Sequence, residues 1–121
     1  MSELGAAKAE LALTLQSAGL DVYSYIPARV TPPVIVIRPG SPYVQPASVG
    51  QEFIVNLDLQ VIAGTADNES SSDDLDDLIE AAINALPADA GLKDVSTPYA
   101  LLANGNDYLA ATIGLDLQIS I

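Results

Sequence analysis

Carboxylates are the side chains of this chain whose spacing comes closest to supporting chemistry. The run Asp67-Asn68-Glu69 is followed by a denser acidic group, namely Asp73, Asp74, Asp76, Asp77 and Glu80. A calcium loop needs oxygen ligands at fixed alternating positions, a glycine at its sharp turn and a distal bidentate Glu. That glycine is missing and the spacing differs. A solvated, acidic helix face is therefore the favoured interpretation, with a weak surface site for a divalent cation as the alternative.

Two further aspartates, Asp58 and Asp116, each lie in the tetrapeptide LDLQ, at residues 57–60 and 115–118. Both fall on the polar side of a predicted strand, where paired carboxylates could activate water for hydrolysis. A metal-dependent nuclease would also need a nearby acidic partner and a lysine, and no lysine is close in sequence. Because the flanking residues do not match, we interpret the two tetrapeptides as two strands with one buried face rather than as a repeat.

Two residue types that carry much enzyme chemistry, cysteine and histidine, do not occur in the chain. Their absence excludes the usual zinc ligands, the usual general base and the usual catalytic triad. The eight glycines form neither a dinucleotide-binding motif nor a P-loop. We therefore predict a protein that is not an enzyme, with no catalytic residue, no metal and no cofactor.

The charge balance is strongly acidic. Sixteen acidic and four basic residues give a formal net charge of −12. Because duplex DNA is bound through clustered Lys and Arg, and the basic residues here are scattered, we expect no specific nucleic-acid binding. The acidity indicates either a solvated surface or a surface that repels DNA.

Length and hydropathy predict a single domain over residues 1–121. Half of the residues are hydrophobic, yet no apolar run approaches the about 18 residues of a membrane span. The N-terminus lacks a basic region followed by a long apolar one, so no signal peptide is predicted.

Two adjoining patterns predict the centre of the fold. Residues 52–62 (EFIVNLDLQVI) alternate with a period of two and place their apolar residues on one face of a strand. Residues 73–86 then switch to helical spacing, with apolar residues on one arc and the acidic group on the other. The apolar arc of this helix is expected to cover the apolar face of the strand.

The remaining segments complete an α+β domain. Residues 2–18 predict a first helix, and the Asn-Gly pair at 104–105 predicts a tight hairpin turn. Strands are predicted at residues 22–26, 34–38, 52–62, 92–103 (bent at Pro98) and 107–121. The predicted fold class is therefore α+β, a mainly antiparallel sheet of about five strands with two helices packed on one face.

The segment between the second and third predicted strands is long. Its ten residues, 41–50 (SPYVQPASVG), exceed the about 2–5 residues of a usual hairpin connection. The segment carries two prolines and the apolar pair Tyr43 and Val44. It is either a long hairpin arm that contacts a neighbouring molecule or an ordinary loop.

The element order and four local segments resemble the tail terminator (tail-completion, minor tail) proteins of long-tailed bacteriophages, of the actinobacterial-phage type. The segments are VYSYIPARVTPPVIVIRPGSPYV (22–44), NLDLQVIAGTADN (56–68), LDDLIEAAINAL (75–86) and NGNDYLAATIGLDL (104–117). Together they span most of the chain, and none of them is a catalytic motif.

The resemblance implies a structural protein of the virion, assembled in the host cytoplasm. Such a protein forms a hexameric ring on the last ring of the tail tube, ends tube polymerisation and joins the tube to the head connector. Its implied partners are its own copies, the tail tube protein and the head–tail connector protein, with DNA passing through the ring. On this interpretation Tyr43, Val44 and Gln45 are candidate oligomer or tube contacts. The acidic group Asp73, Asp74, Asp76, Asp77 and Glu80 is a candidate channel wall or solvent face.

Three alternatives remain open from the sequence. The first is another ring protein of the neck or tail tube. The second is a non-enzymatic ligand-binding or regulatory α+β domain. The third is a metal-dependent hydrolase, which the absence of histidine and of paired catalytic motifs disfavours.

Overall fold

The computed structural model describes residues 2–25, 29, 31–47, 50–65, 69–103 and 105–120. Over these residues the chain forms two helices and six strands. The helices are α1 (Glu3–Ser17) and α2 (Glu69–Ala85). The strands are β1 (Val22–Tyr23), β2 (Val34–Pro46), β3 (Glu52–Thr65), β4 (Ala90–Val95), β5 (Tyr99–Ala103) and β6 (Asn106–Ser120).

All six strands belong to one sheet, which has the order β1-β2-β3-β6-β4. Only the short β1–β2 pairing is parallel, and the other pairings are antiparallel. The long strand β6 pairs with β3 along one side. On its other side β6 pairs with β4 over residues 113–117 and with β5 over residues 106–110.

The core lies between the sheet and the two helices, all on one face. The alternation of β3 places Val55, Leu57, Leu59 and Val61 on this face, and β6 adds Ala111, Ile113, Leu115 and Leu117. Leu11 and Leu15 of α1 and Leu75 and Ala82 of α2 close the cluster. The predicted α+β class, with both helices on one face of a mainly antiparallel sheet, is confirmed.

The number of strands differs from the prediction of about five because one predicted strand is two. The prediction joined residues 92–103 into one strand bent at Pro98. In the structure β4 ends at Val95 and β5 begins at Tyr99, and the two lie beside different halves of β6. Residues 96–98 cross from one half to the other. The hairpin at residues 104–105 is confirmed by the pairing of Ala103 with Asn106, although Asn104 itself lies outside the described residues.

The segment that begins at residue 41 is part of β2, not a separate loop. Strand β2 continues to Pro46, and Val44, Gln45 and Pro46 pair with β3. The register shifts between Pro39 and Val44, so four residues of β2 bulge out opposite one residue of β3. Together, β2 and β3 form a long hairpin whose outer part, residues 40–47 and 50–54, we call the arm.

Helix α1 begins and ends as its sequence predicts. The Ser2 hydroxyl accepts a hydrogen bond from the Gly5 backbone N–H at 2.9 Å, which caps the first turn. Gly19 follows the last turn with φ of +87°, the left-handed conformation that favours glycine after a helix.

Candidate functional site

The face of the sheet opposite the helices, here called the open face, carries most of the polar contacts between strands. At one end it is apolar, because Val34, Ile62 and Ala110 are buried there against Tyr99 and neighbouring side chains. Its middle is polar. Two of the four basic residues, Arg38 and Lys93, and the aspartates Asp58, Asp94 and Asp116 belong to strands in this region.

Asn56 is the centre of a network that joins the arm to β4. Its amide nitrogen donates to the carbonyl oxygen of Pro42 at 2.8 Å and to the side-chain oxygen of Gln45 at 2.9 Å. Its amide oxygen accepts a hydrogen bond from the Lys93 ammonium at 2.9 Å. The orientation of the amide is fixed chemically, since a carbonyl can only accept and an ammonium can only donate. Asn56 is only 4% exposed, although the sequence pattern places it on the polar face of its strand.

A second hydrogen-bond network lies on the same face, around Gln60 of β3. The Gln60 amide donates to the Tyr99 hydroxyl at 3.0 Å, and that hydroxyl lies 2.9 Å from the Thr112 hydroxyl. A phenol oxygen that accepts from Gln60 has its own proton free for Thr112. The hydroxyl therefore satisfies the buried Gln60 and ties β5 to the middle of β3.

Between these two networks the open face has a shallow, open depression of about 490 Å³. Its lining is Arg38, Pro39, Asp58, Gln60, Tyr99 and Thr112. Gln60, Tyr99 and Thr112 are joined by hydrogen bonds, which leaves the Arg38 guanidinium and the Asp58 carboxylate. The depression can hold a small polar molecule, but it presents no activated nucleophile. Within the described residues no group of three or more carboxylates is arranged to hold a metal ion.

The three candidate contact residues of the arm have different surroundings. Tyr43 is half-buried against the core of its own chain, and the Lys8 ammonium lies 5.7 Å from the centre of its ring. Val44 is half-buried. Gln45 is exposed and accepts the hydrogen bond from Asn56. Of the three, Gln45 is the side chain most available to another molecule.

The predicted acidic face of α2 is brought together by the helix. Asp73, Asp74, Asp76, Asp77 and Glu80 are all exposed, whereas Leu75 and Ala82 are buried beneath them. Asp67 and Asn68 of the sequence cluster lie outside the described residues. The two LDLQ aspartates lie on the open face, but they do not pair with each other. Asp58 is opposite Gly114, and Asp116 is opposite Asn56.

Large apolar side chains are left exposed at both ends of the strand order. At the end of β1, the rings of Tyr23 and Tyr25 meet edge to face, with centroids 5.7 Å apart and an interplanar angle of 68°. At the opposite edge, Leu92 and Val95 of β4 are 46% and 37% exposed. Exposed apolar groups on two separate edges are typical of surfaces that bind other chains.

Sequence reasoning missed the Asn56–Lys93 contact and both sheet edges. Lys93 and Asn56 are 37 residues apart, and only the register of three strands brings them together. The exposed edges had a sequence signal, since Leu92 and Val95 precede a proline-bounded break. That signal could not be interpreted without the strand order.

No protein-family model matches the chain, and no curated protein is significantly similar to it. None of the helices in the described part of the chain has the length and hydropathy of a membrane span.

Proposed function

We propose that this chain is a structural subunit of a long-tailed phage, which forms a ring on the tail tube, ends its polymerisation and joins it to the head connector. The proposal is of a non-enzymatic virion protein whose partners are its own copies, the tail tube protein and the connector. The resemblance of four segments to tail terminators motivates it. The observation that carries it is the exposure of large apolar side chains at both ends of the strand order.

A ring needs two different contact surfaces on each subunit. In a head-to-tail assembly, the first surface of each copy binds the second surface of the next copy. The assembly closes into a ring when the rotation between neighbouring copies divides a full turn evenly. The edge at Tyr23 and Tyr25 and the edge at Leu92 and Val95 are on opposite sides of the subunit in strand order. This is the arrangement that a head-to-tail ring requires.

The arm and α2 supply the remaining features of the proposed subunit. The arm is a long hairpin, held to the sheet by Asn56, with Gln45 exposed near its outer end. A projecting hairpin of this kind is suited to reach the tube below the ring. Helix α2 packs on β3 and β6 in the core layer and presents its acidic face outward.

The test of the ring is an assembly experiment with the tail tube protein. We expect the chain to cap growing tubes and limit their length, and to form a six-membered species of about 75 kDa from chains of 12.5 kDa. Tyr25→Lys should weaken ring formation at least about tenfold, because a lysine replaces an apolar contact. Leu13→Lys is the matched control, since Leu13 is equally exposed but belongs to α1 and to neither edge strand.

Other results would favour the alternatives. Growth of long tubes by this chain alone would identify a tube subunit. Failure to cap tubes, together with tight binding of a small polar molecule in the open-face depression, would favour a ligand-binding domain. An unchanged assembly of Tyr25→Lys would contradict the head-to-tail contact.

The acidic face of α2 is proposed to line or border the channel through which DNA passes. A carboxylate-rich wall repels phosphates and so limits sticking of the genome. We expect Asp76→Lys/Asp77→Lys to assemble normally, since both residues are exposed, but to retain DNA and slow its ejection. Glu3→Lys/Glu10→Lys on α1 is the charge-matched control. Normal ejection by the α2 variant, measured by dye release from loaded particles, would refute this role.

A further inference from the structure

We propose that two copies of this chain pair through their β4 strands, antiparallel and about a two-fold axis, in a dimer that hides one of the two edges a ring needs. The pairing itself is inferred from the edge alone. Its role as a reserve form of the ring subunit rests on the proposed function.

Strand β4 has a free edge that can accept another strand. Among the described residues, β4 pairs with β6 on one side and with nothing on the other. Strand β2 has a longer free edge beyond the two residues that pair with β1, but Pro39, Pro42 and Pro46 interrupt it and its register shifts. Prolines and bulges protect an edge from strand addition, because they remove N–H donors and bend the backbone. Strand β4 (AGLKDV) has no proline.

Backbone hydrogen bonds and apolar burial would stabilise the pair. An unpaired strand offers N–H and C=O groups to another strand, and exposed apolar side chains beside it add burial. Leu92 and Val95 supply those side chains, and both lie on the helix side of the sheet. They share that side because β4 has a register shift between Leu92 and Asp94. Leu92 is opposite Leu115, and Val95 is opposite Ile113.

The occupant that fits the β4 edge is a second copy of this chain. When two β4 strands run antiparallel with the axis between Lys93 and Asp94, Leu92 of one copy lies opposite Val95 of the other. The same register places Lys93 opposite Asp94 of the other copy, twice by symmetry. Apolar residues therefore meet apolar residues, and the Lys93 and Asp94 side chains, which lie over Gly114 in their own chain, can turn outward to meet opposite charges. This is the self-complementarity that a two-fold contact requires. A two-fold axis normal to the sheet also keeps the helices of both copies on the same side.

Dimer and ring cannot use β4 at the same time. In the dimer, β4 of each copy is covered by β4 of the other. In the ring, that edge is bound by the β1 edge of the next copy. Pairing through β4 would therefore keep free subunits from closing into rings before they reach a tube.

The experiment measures the molecular mass of the full chain across a concentration series by sedimentation velocity. We expect the wild type to pass from 12.5 kDa to twice that mass as its concentration rises. Leu92→Lys should raise the dimer dissociation constant at least about tenfold, because it places a lysine opposite Val95 in both halves of the contact. Leu102→Lys is the matched control: Leu102 is 72% exposed but lies on β5. A wild type that stays monomeric, or a control that dissociates equally, would overturn the proposal.

A charge swap tests the register itself. Lys93→Asp alone and Asp94→Lys alone each place like charges opposite one another, and each should raise the dissociation constant about tenfold. The double variant Lys93→Asp/Asp94→Lys restores opposite charges and should restore the dimer. Lys93 also donates to Asn56 in its own chain, so thermal unfolding of every variant is recorded by circular dichroism. Folded variants in which the double swap stays as weak as the single ones would refute this register.

Dimer and ring share the β4 edge, but only the ring uses the β1 edge. Tyr25→Lys should therefore abolish tube capping and leave the dimer intact, whereas Leu92→Lys should weaken both. If capping fails in every variant and in the wild type, the ring proposal is wrong, while the measured molecular mass still supports the dimer. If the wild type caps tubes but never dimerises, only the β4 pairing is wrong.

Discussion

Asn56→Ala is expected to lower the free energy of unfolding by about 2–3 kcal/mol, the largest effect among the single polar substitutions considered. The substitution removes three side-chain hydrogen bonds, to Pro42, Gln45 and Lys93. A hydrogen bond contributes about 0.5–1.5 kcal/mol net, and more where one partner is charged. Since Pro42, Gln45 and Lys93 are themselves exposed, water recovers part of the loss. Urea unfolding followed by far-UV circular dichroism measures the change, because the chain has no tryptophan.

The matched control is Gln118→Ala. Gln118 is an exposed polar residue on the same open face, opposite Ile54 of β3, so its loss should change stability by less than about 0.5 kcal/mol. Asn56→Asp should be nearly as damaging as Asn56→Ala. A carboxylate keeps an acceptor for Lys93 but loses both donors and faces two oxygen atoms. Equal stability of Asn56→Ala and Gln118→Ala would contradict the network.

A double-mutant cycle separates the Lys93 contact from the rest. Lys93→Met keeps the aliphatic part of the side chain, which lies over Gly114, and removes only the ammonium. Because the Lys93 ammonium bonds Asn56 directly, the double variant should lose less unfolding free energy than the two single variants together. Hydrogen exchange should also rise in residues 40–46 of the Asn56 variants, since the amide no longer holds the arm.

The fold class was predictable because it depends on local periodicity. Strict alternation over β3 and β6 and the change of period at α2 each indicate an element and its buried side. These three elements can bury their apolar residues together only when the apolar arc of α2 packs on the apolar faces of β3 and β6. The end of β2 was not predictable in the same way. Its prolines indicate a break, yet a strand at a sheet edge needs no N–H donors on its outer side, so β2 continues through them.

The polar contacts of the open face were not predictable, because they depend on register. Asn56 and Gln60 were expected on the polar side of β3, which is correct. Their burial was not expected, since it follows from the arm folding back over Asn56 and from Tyr99 reaching Gln60 across β6. The same limit applies to the candidate contacts of the arm. A sequence shows that Tyr43 is apolar, but it does not show that the core of its own subunit holds it.

Gly40→Ala is expected to destabilise the protein by about 1–3 kcal/mol, the usual range when a group is forced into a packed site. A Cβ at Gly40 would lie 2.8 Å from the backbone carbonyl oxygen of Asn56 and 2.9 Å from its carbon. Backbone atoms in a paired strand cannot move aside, so the arm must shift away from β3. The shift also strains the Asn56 hydrogen bonds, because Pro42 and Gln45 lie on the same arm.

Gly114→Ala provides the contrast that makes this prediction specific. Its Cβ would also meet an atom at 2.8 Å, but that atom is a side-chain oxygen of the exposed Asp94. A side chain of this kind can rotate away, and alanine in a strand gains about 0.5–1 kcal/mol over glycine. We therefore expect Gly114→Ala to be close to neutral, and Gly114→Ala/Asp94→Ala to be neutral or stabilising. Chemical unfolding of the three variants tests this prediction. Equal losses of unfolding free energy in Gly40→Ala and Gly114→Ala would show that the Asn56 backbone does not limit the space for a Cβ at Gly40.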